Sequence, residues 1–462
     1  MPNIFGLMNI GQSALFTQQK AIDITGNNIA NVNTPGYSRQ RLVIKQGSPV
    51  RVDSLTISTG VTSEPGIQRF YDQFLSAQLG NENESLGRWQ AQKEALEKAE
   101  LMFDEAGGMG LSSAMSEYWN GWQALSNNPS GVAERTTLIS AGQYLSSVFN
   151  QTYNNISKLQ QDIDTHVDGL VDKINGLTQQ IADLNQKVTQ VETNGQKAND
   201  FRDERDQLVF ELSKLININS YEDGDGNLGI DTENGKPLVQ GTSTWDLLTA
   251  DNGGVQDVYW QDSSGTNVNI TSNISSGELK GWIETRDVHL NNYLTQLDNL
   301  ANTLRTSVNG AHNAGFDLNG NAGLDFFTGT GAVDLSVNAA IVADTDLIAA
   351  AGAGEGLPGG NAAAMTIANL QNSATMPGGS TFDEYYNALV GTVGADVQAA
   401  DFSSGHQESM VQGLENYRQQ VSGVSLDEEM VNLVKFQHAY NAAAKLITTA
   451  DEMLDEILAL AR

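Results

Sequence analysis

The chain has 462 residues, a formal net charge of −31 and no cysteine. An acid excess of this size repels nucleic-acid phosphates and anionic lipids, and a chain without cysteine has no disulfide and no thiolate metal site. The sequence shows neither a basic, apolar signal peptide nor the roughly 18 consecutive apolar residues of a transmembrane helix. We therefore expect no nucleic-acid partner and no membrane insertion, in a protein that is cytoplasmic or is exported without such a signal.

The first element in chain order is an amphipathic helix. Met8, Leu15, Ile22 and Ile29 recur every seven residues, which places them on one face of a helix at the start of the chain. A short strand-like piece follows between residues 41 and 61. Beyond it, apolar residues return to helical spacing and indicate the first member of a helical bundle.

The strongest periodic signal belongs to a long central helix. After a turn at 127–131, apolar steps of four and three residues alternate, and they predict a helix of about 60 residues and roughly 90 Å. Because such a stripe is typical of a helix that packs on a neighbouring helix, we expect an elongated molecule. The stripe consists of Ile163, Val167, Leu170, Ile174, Leu177, Ile181, Leu184, Val188 and Val191.

A β-rich stretch interrupts the helices between 216 and 277. There the apolar period falls to two, and turn clusters separate short strand-like pieces, which predicts a small inserted β domain. Helical spacing returns between Ile283 and Val308, and a Gly/Ala-rich loop at 349–364 leads into another helix. The strand-like pieces lie at 218–221, 228–231, 258–260 and 268–271.

The last element is again an amphipathic helix, with apolar residues at steps of three and four from Met430 to Ile457. We expect the two terminal helices to lie against each other or against other subunits, with their apolar stripes carrying the packing between subunits. The alternative is that these stripes close the core of a monomer. The candidate interface residues are Met8, Leu15, Ile22, Ile29, Met430, Leu433, Tyr440, Ile447 and Leu454.

Sequence motifs for catalysis or cofactor binding are incomplete. The five histidines include no His-Glu-x-x-His pair, and there is no Gly-x-Ser-x-Gly elbow. Of two Gly-x-Gly-x-x-Gly segments, the one at 224–229 holds Asp225, which would repel a pyrophosphate, and the one at 354–359 follows an Ala-rich stretch rather than a strand. Acidic segments at 223–227 and 317–321 lack the glycine and glutamate of a calcium loop, so only incidental calcium binding remains an alternative. Paired carboxylates of the glycosidase type also remain an alternative, because their distance in space cannot be read from the sequence. We predict a non-enzyme with no catalytic residue, cofactor or resident metal.

These patterns predict a mainly α fold with a β insert. The chain should be elongated and multi-domain, with a terminal helical coiled coil, a long-helix bundle and a small β domain. The predicted domains are paired terminal helices at 1–40 and 424–462, a short β linker at 41–66, a helical bundle at 67–215 and 279–423, and a small β-rich outer domain at 216–278.

Both ends of the chain resemble one family. Segment 27–40 (NNIANVNTPGYSRQ) resembles the N-terminal signature of bacterial flagellar axial proteins, which include rod, hook and hook-associated proteins. The stretch from SLDEEM at 425–430 to TADEML at 449–454 resembles their C-terminal signature, and this ending disfavours flagellin. The hook-associated members are favoured over rod and hook proteins by YSRQ at 37–40 and by segments 66–75, 110–135 and 309–320.

The resemblance implies a structural subunit of the flagellum that forms the junction between hook and filament. Such a subunit leaves the cytoplasm through the type III export apparatus and polymerises outside the cell. Its implied partners are copies of itself in a helical ring, the hook protein, the next hook-associated protein on the filament side and a secretion chaperone at the C-terminal helix. The alternatives are a flagellar hook or rod subunit and, less favoured, an extracellular enzyme or adhesin on an axial scaffold.

Overall fold

The structure, a computed structural model, describes residues 2–46, 50–52, 55–57, 60–103, 110–193, 196–224 and 226–460. Asp225 of the acidic turn and parts of the strand-like piece at 41–61 lie outside the described residues. None of the described helices combines the length and the apolar character needed to cross a membrane.

Helices dominate the described chain. A π-helical turn, Thr285–Leu290, joins the sixth helix to the seventh. The α-helices are α1 (Pro2–Ala30), α2 (Gln73–Glu100), α3 (Leu111–Asn127), α4 (Val132–Glu192), α5 (Asn199–Leu215), α6 (Gly277–Glu284), α7 (Asn291–Asn313), α8 (Ala339–Ala343), α9 (Ala362–Asn369), α10 (Phe382–Ser422) and α11 (Leu426–Leu460).

The strands form small antiparallel sheets. β1 pairs with β4, β2 with β3 and β12 with β13, while β5 to β8 form one meander and β9 to β11 a second. The strands are β1 (Gln40–Gln46), β2 (Val50–Val52), β3 (Leu55–Ile57), β4 (Val61–Arg69), β5 (Ile218–Glu222), β6 (Leu228–Thr232), β7 (Pro237–Gln240), β8 (Ser243–Thr244), β9 (Leu247–Asp251), β10 (Gln256–Gln261), β11 (Asn267–Asn269), β12 (Phe327–Thr328) and β13 (Ser336–Val337).

The two terminal helices pair antiparallel. Asn28 near the end of α1 contacts Glu429 at the start of α11, whereas Gly11 lies against Ile447 much further along α11. We call α1 and α11 the terminal pair. The rest of the chain from α2 to α10 is called the body.

The body is a helical bundle built around antiparallel helix pairs. In one pair, the Gln407 side chain of α10 donates to the Glu82 carbonyl of α2, and Lys93 of α2 reaches Asp401 of α10. In another, α3 and α4 are joined by a tight turn and pack closely where a Cβ on Gly121 would come 3.2 Å from Leu138. The mainly α, elongated multi-domain fold with a β insert is confirmed.

The 61 residues of α4 form the longest element and carry the predicted stripe. The stripe from Ile163 to Val188 is buried, and Val191 at its end is half-buried. The stripe predicts that a neighbouring helix covers it. Helices provide only part of this cover, because strands β7, β9 and β10 also lie along the second half of α4. Helix α5 and the strands together pack against α4.

Two asparagines hold α4 against these sheets. Asn175 exchanges hydrogen bonds with the backbone of Leu247, at 2.8 and 2.9 Å. Asn185 does the same with Leu228 and also donates to the Gly241 carbonyl at 2.8 Å. Each amide bonds both the N–H and the carbonyl of one strand residue, so the β insert is attached to the helix by geometry-specific bonds.

The π-helical turn places an arginine inside the apolar stripe of α6 and α7. Arg286 lies between Ile283 and Leu290 in that stripe, and its side chain is fully buried. It bonds Asp164 of α4 and the Gln256 carbonyl of β10 at 2.5 and 2.7 Å. A buried guanidinium needs such partners, and these tie the bundle to the β insert.

Candidate assembly surface on the terminal helices

The predicted interface residues lie along the terminal pair. Eight of them are half-buried, so the opposing helix and the β1–β4 hairpin cover only part of each side chain. Met430 is 59 % exposed. The structure thus brings the two predicted stripes onto one antiparallel pair, with part of their apolar surface open to solvent.

Most of the buried positions of the terminal pair are small or polar. At Gly11 the helices approach so closely that a Cβ there would lie 2.6 Å from Cγ1 of Ile447. On α11, the buried residues Glu429, Ala443 and Ala450 share one heptad position, whereas Met430, next to Glu429, is exposed. The seam between the helices therefore runs beside the predicted stripe rather than along its centre.

An exposed apolar ridge follows the first half of α11. Its side chains are exposed to solvent, and we call them the α11 ridge. Contiguous exposed apolar surface is a common feature of protein–protein interaction sites. The ridge consists of Leu426, Met430, Val431 and Val434; Phe16 on α1 and Met453, Ile457 and Leu458 on α11 are also exposed.

A polar clamp ties the terminal pair together where α1 ends. The Asn28 amide donates to the Glu429 carboxylate and to the Gln40 carbonyl, each at 2.9 Å. Its carbonyl oxygen accepts from the Gln40 backbone N–H at 3.0 Å and from the Tyr37 hydroxyl at 2.9 Å. One buried side chain thus fixes the end of α1, the loop that follows it and the start of α11.

Arg39 completes the clamp with charge. Its guanidinium contacts Glu429 at 2.8 and 2.9 Å and Glu428 at 2.8 Å. Glu429 is only 1 % exposed, so its negative charge depends on these donors. The backbone N–H of Arg39 also donates to the Ser422 carbonyl at the end of α10, which links the clamp to the body.

A second set of carboxylates anchors the same loop to α5. Asp203 accepts from the Ser38 backbone N–H at 2.9 Å and from Arg69 of β4 at 2.8 Å. Arg69 also reaches Asp206 at 2.6 Å. Burial and the nearby carboxylates raise the pKa of Tyr37, so its hydroxyl stays a hydrogen-bond donor.

The residues of the clamp belong to the N- and C-terminal signatures quoted above. Sequence reasoning did not single out Asn28, Arg39 or Glu429, because a polar side chain at a helix interface has no periodic signal. The sequence nevertheless contains one indication, because Glu429 shares a heptad position with Ala443 and Ala450 on the last helix. Their chemistry is structural, because these groups bond one another and the backbone.

No group of histidine, aspartate and glutamate side chains within the described residues is arranged to hold a metal ion. His312 is enclosed in the body, where Nε2 accepts from the Ala349 N–H at 2.8 Å and Nδ1 contacts the Leu324 carbonyl. His289 contacts Asp396 and Gln92. Both imidazoles bond groups of the fold and serve packing there.

Comparison with known proteins gives matches along the whole chain. The family model described as the flagellar hook-associated protein FlgK helical domain matches residues 96–327. Models of the flagella basal body rod protein and of the flagellar basal body rod FlgEFG protein C-terminal match 8–37 and 417–460. Flagellar hook-associated protein 1 of Bacillus subtilis is 31 % identical over 505 residues, which cover 99 % of this chain and 98 % of that protein. This chain belongs to the flagellar hook-associated protein 1 family.

Other members of the hook-associated protein 1 family also align with this chain over nearly its whole length. The Escherichia coli protein is 27 % identical over 544 residues, covering 98 % of this chain and 99 % of its own. The flagellar hook junction protein FlgK from Burkholderia pseudomallei superposes with a TM-score of 0.68 over 75 % of this chain and 100 % of its own, at 16 % identity. The shared fold and the family membership make this chain a structural component of the bacterial flagellum.

Proposed function

We propose that this chain forms the junction between flagellar hook and filament by polymerising through its terminal pair. The observation that carries the proposal is the incompletely covered terminal pair in a chain that matches hook-associated protein 1 over its full length. A subunit of a helical array needs surfaces that its own fold does not satisfy. The half-buried stripes and the α11 ridge are such surfaces.

The nine candidate interface residues supply the driving force in this proposal. Full burial of a Leu, Ile or Met side chain contributes roughly 1.5–3 kcal/mol. Leu15, Ile22, Ile447 and Leu454 already gain part of this within one chain and gain the rest when a neighbour covers the pair. Met430 gains most of its burial only in the assembly, because 59 % of it is exposed in the single chain.

The domain division is part of the same proposal. The terminal helices at 1–40 and 424–462 build the inner tube, and the helical bundle at 67–215 and 279–423 surrounds it. The β linker at 41–66 connects the two, and the β domain at 216–278 lies outermost. This arrangement is supported by the clamp, which holds the terminal pair at the base of the body near Ser422.

The partners and the location follow from the junction role. The proposed partners are neighbouring copies in a ring, the hook protein below and the next hook-associated protein above. Export through the type III apparatus places the chain outside the cell, and a cytoplasmic chaperone at the C-terminal helix shields the α11 ridge before export. An exposed apolar ridge on the last helix is the kind of surface that such a chaperone covers.

Deletion of the gene in its native bacterium tests the proposal. Electron microscopy of the appendages is combined with an assay of flagellin in the medium. We expect hooks without filaments, with flagellin lost to the medium, and complementation by the intact gene restores filaments. Cells without hooks would place the chain in the rod or the hook, and normal filaments would contradict the junction role altogether.

A further inference from the structure

The chain contains seven Asn-Gly dipeptides, which begin at residues 120, 175, 194, 234, 252, 309 and 319. Asn-Gly loses its side-chain amide readily, because glycine has no side chain to shield its backbone nitrogen from the asparagine Cγ. In a folded chain that nitrogen must also be free of hydrogen bonds before it can attack. The structure describes six of the pairs, and the pair at 194–195 lies outside the described residues.

Five of the six described pairs keep the glycine nitrogen bonded. Three lie inside α3, α4 and α7, where each backbone N–H donates to the carbonyl one turn earlier. In the turn between β6 and β7, the Gly235 N–H donates to the Thr232 carbonyl at 2.8 Å. In the loop after α7, the Gly320 N–H donates to the Asp317 carbonyl at 3.1 Å. Each of these bonds must break before the nitrogen can react.

The sixth pair, Asn252–Gly253, lies in the exposed loop that joins β9 to β10. Its neighbours are bonded: the Asn252 N–H donates to the Val255 carbonyl at 2.8 Å, and the Gly254 N–H donates to the Asp251 carboxylate at 2.7 Å. The Gly253 N–H, by contrast, has no hydrogen-bond partner within the described part of the chain. This loop therefore combines access to water with an unbonded glycine nitrogen directly after an asparagine.

One contact restrains the asparagine side chain at this site. The Asn252 side-chain amide donates to the Asp257 carboxylate at 2.7 Å, and the Asn269 side-chain amide donates to the same oxygen at 2.8 Å. The first bond holds the Asn252 side chain against β10, whereas the reaction requires its Cγ to meet the nitrogen of the next residue. Asp257 should therefore slow the reaction without preventing it.

We propose that Asn252–Gly253 is the site at which this folded chain deamidates, with water as the co-reactant. The Gly253 nitrogen gives its proton to solvent and forms a bond to Cγ of Asn252. The Cγ–Nδ2 bond breaks, and Nδ2 takes up a proton and leaves as ammonia, so that a succinimide ring remains. Water then opens the ring at either carbonyl and leaves an aspartyl or an isoaspartyl residue at position 252. The step needs neither an oxidant nor an enzyme.

The modification acts beside the tie between the β insert and the helical bundle. Position 252 gains a negative charge next to Asp257, and the isoaspartyl form lengthens the backbone by one atom. A few residues further on, the Gln256 N–H donates to Asp164 of α4 at 3.1 Å, and its carbonyl accepts from Arg286 at 2.7 Å. Repulsion between neighbouring carboxylates should open this end of the hairpin. The β insert thus carries an age-dependent change that does not depend on the junction role.

Peptide mapping of the purified full-length chain tests the site. The chain is aged in mildly alkaline buffer and digested at acid pH, and mass spectrometry follows the gain of one mass unit at each pair. An isoaspartyl methyltransferase assay identifies the isoaspartyl product. We expect position 252 to react about fivefold faster than positions 234 and 319, where a hydrogen bond must first be released. Equal or faster reaction at 234 or 319 would overturn the assignment.

The same chain aged in urea is the matched control. Without the fold, the three glycine nitrogens are all free, so positions 234, 252 and 319 should react at similar rates. An unchanged preference for position 252 in urea would show that the local sequence selects the site, and it would overturn the role of the unbonded N–H. Reaction in urea but none at position 252 in the folded chain would overturn the proposal altogether.

Two variants test the restraint by Asp257. Asp257→Ala should accelerate the loss of amide at position 252 several-fold and leave position 319 unchanged. The control is Asp262→Ala, in the next turn of the same sheet, where the carboxylate accepts from the N–H groups of Ser264 and Thr266. It should leave position 252 at the parental rate. An unchanged rate in Asp257→Ala, or equal acceleration in both variants, would overturn the restraint.

The effect on the hairpin is tested with the aspartyl product itself. Asn252→Asp should speed up amide hydrogen exchange in β10 (Gln256–Gln261). Asn319→Asp adds the same charge at an exposed position away from the β insert and should leave exchange in β10 at the parental rate. Unchanged exchange in Asn252→Asp, or the same increase in both variants, would contradict the loosening of the hairpin.

Discussion

The body and the terminal pair bury different kinds of residues. In the body, large side chains such as Trp122, Phe149 and Tyr293 are fully enclosed, and buried arginines meet their partners within the chain. In the described part of the terminal pair, the buried apolar residues are Ala21, Ile24, Ala443 and Ala450. The body is complete as a folded unit, whereas the terminal pair leaves its larger apolar side chains partly open. This difference supports our proposal that the body folds as a unit while the terminal pair completes its burial on assembly.

The sharpest difference between the two regions is expected from truncating one large apolar side chain in each. Phe149→Ala should lower the free energy of unfolding of the purified chain by about 3–5 kcal/mol, because the fully buried ring leaves a cavity. Ile22→Ala should lower it far less, since Ile22 is only half-buried. All six tryptophans lie in the body, so urea unfolding followed by their fluorescence reports on that region. Equal losses of unfolding free energy in Phe149→Ala and Ile22→Ala would contradict the distinction between the body and the terminal pair.

Breaking the clamp should release the terminal pair from the body. Arg39→Ala leaves the Glu429 carboxylate buried without its cation, which costs about 3–5 kcal/mol when no other group compensates. The cost is local, so amide hydrogen exchange should speed up in α1 and α11 and stay unchanged in α4. Glu428→Gln is the matched control, because the Glu428 side chain is 63 % exposed. Arg39→Ala/Glu429→Gln should recover part of the protection, and unchanged exchange in Arg39→Ala would show that the clamp does not hold the pair.

The body should be sensitive to acid through His312. Burial, aided by the charge of Arg135, lowers the pKa of His312 to about 4, below the usual value near 6.5 in the unfolded chain. The neutral form therefore contributes stability above pH 6.5, and this stability is lost as the pH falls towards 4. Between pH 7 and pH 5 the loss should be about 2 kcal/mol. Urea unfolding at pH 7 and pH 5 measures this loss in the parent, and the loss should disappear in His312→Gln. The exposed His438→Gln serves as the control. An equal pH dependence of the unfolding free energy in the parent and in His312→Gln would refute the prediction.

Two glycines in α1 provide the prediction with the smallest expected effect on the terminal pair. Gly11→Ala puts a methyl group 2.6 Å from Ile447 Cγ1, so the Ile447 side chain or the helix backbone must shift there. Gly26→Ala meets nothing within 4 Å and should stabilise the helix by about 0.5–1 kcal/mol through reduced backbone entropy. Hydrogen exchange near the seam should rise with the first variant and fall with the second. Identical behaviour of the two would mean that the close approach at Gly11 is unimportant.

Long-range periodicity predicted the helical part of the fold well. The turn at 127–131 predicts where α4 begins, and the helix starts at Val132; the stripes predict the two terminal helices. The strand-like pieces at 218–221 and 228–231 correspond to β5 and β6. Strands β7 to β9 were not predicted, because Pro237 and the short polar stretch of β8 interrupt the alternation that signals a strand.

The register of the terminal pair was harder to predict. The apolar stripe predicts that Met430 faces the other terminal helix. The structure instead buries Glu429, because Asn28 and Arg39 satisfy its carboxylate. Gly11 likewise carries no apolar signal, although it allows the closest helix contact. These positions are set by partners at the other end of the chain, which local periodicity does not contain.

The most direct test of the account is the double variant Ile22→Asp/Leu454→Asp, examined both as purified protein and in the bacterium. Its control, Gln19→Asp/Asn441→Asp, adds the same charges at exposed polar positions of the same helices. We predict that both proteins keep the parental tryptophan fluorescence and urea midpoint of the body, and that only the control supports filaments. Normal filaments with Ile22→Asp/Leu454→Asp would contradict the claim that the terminal pair carries assembly.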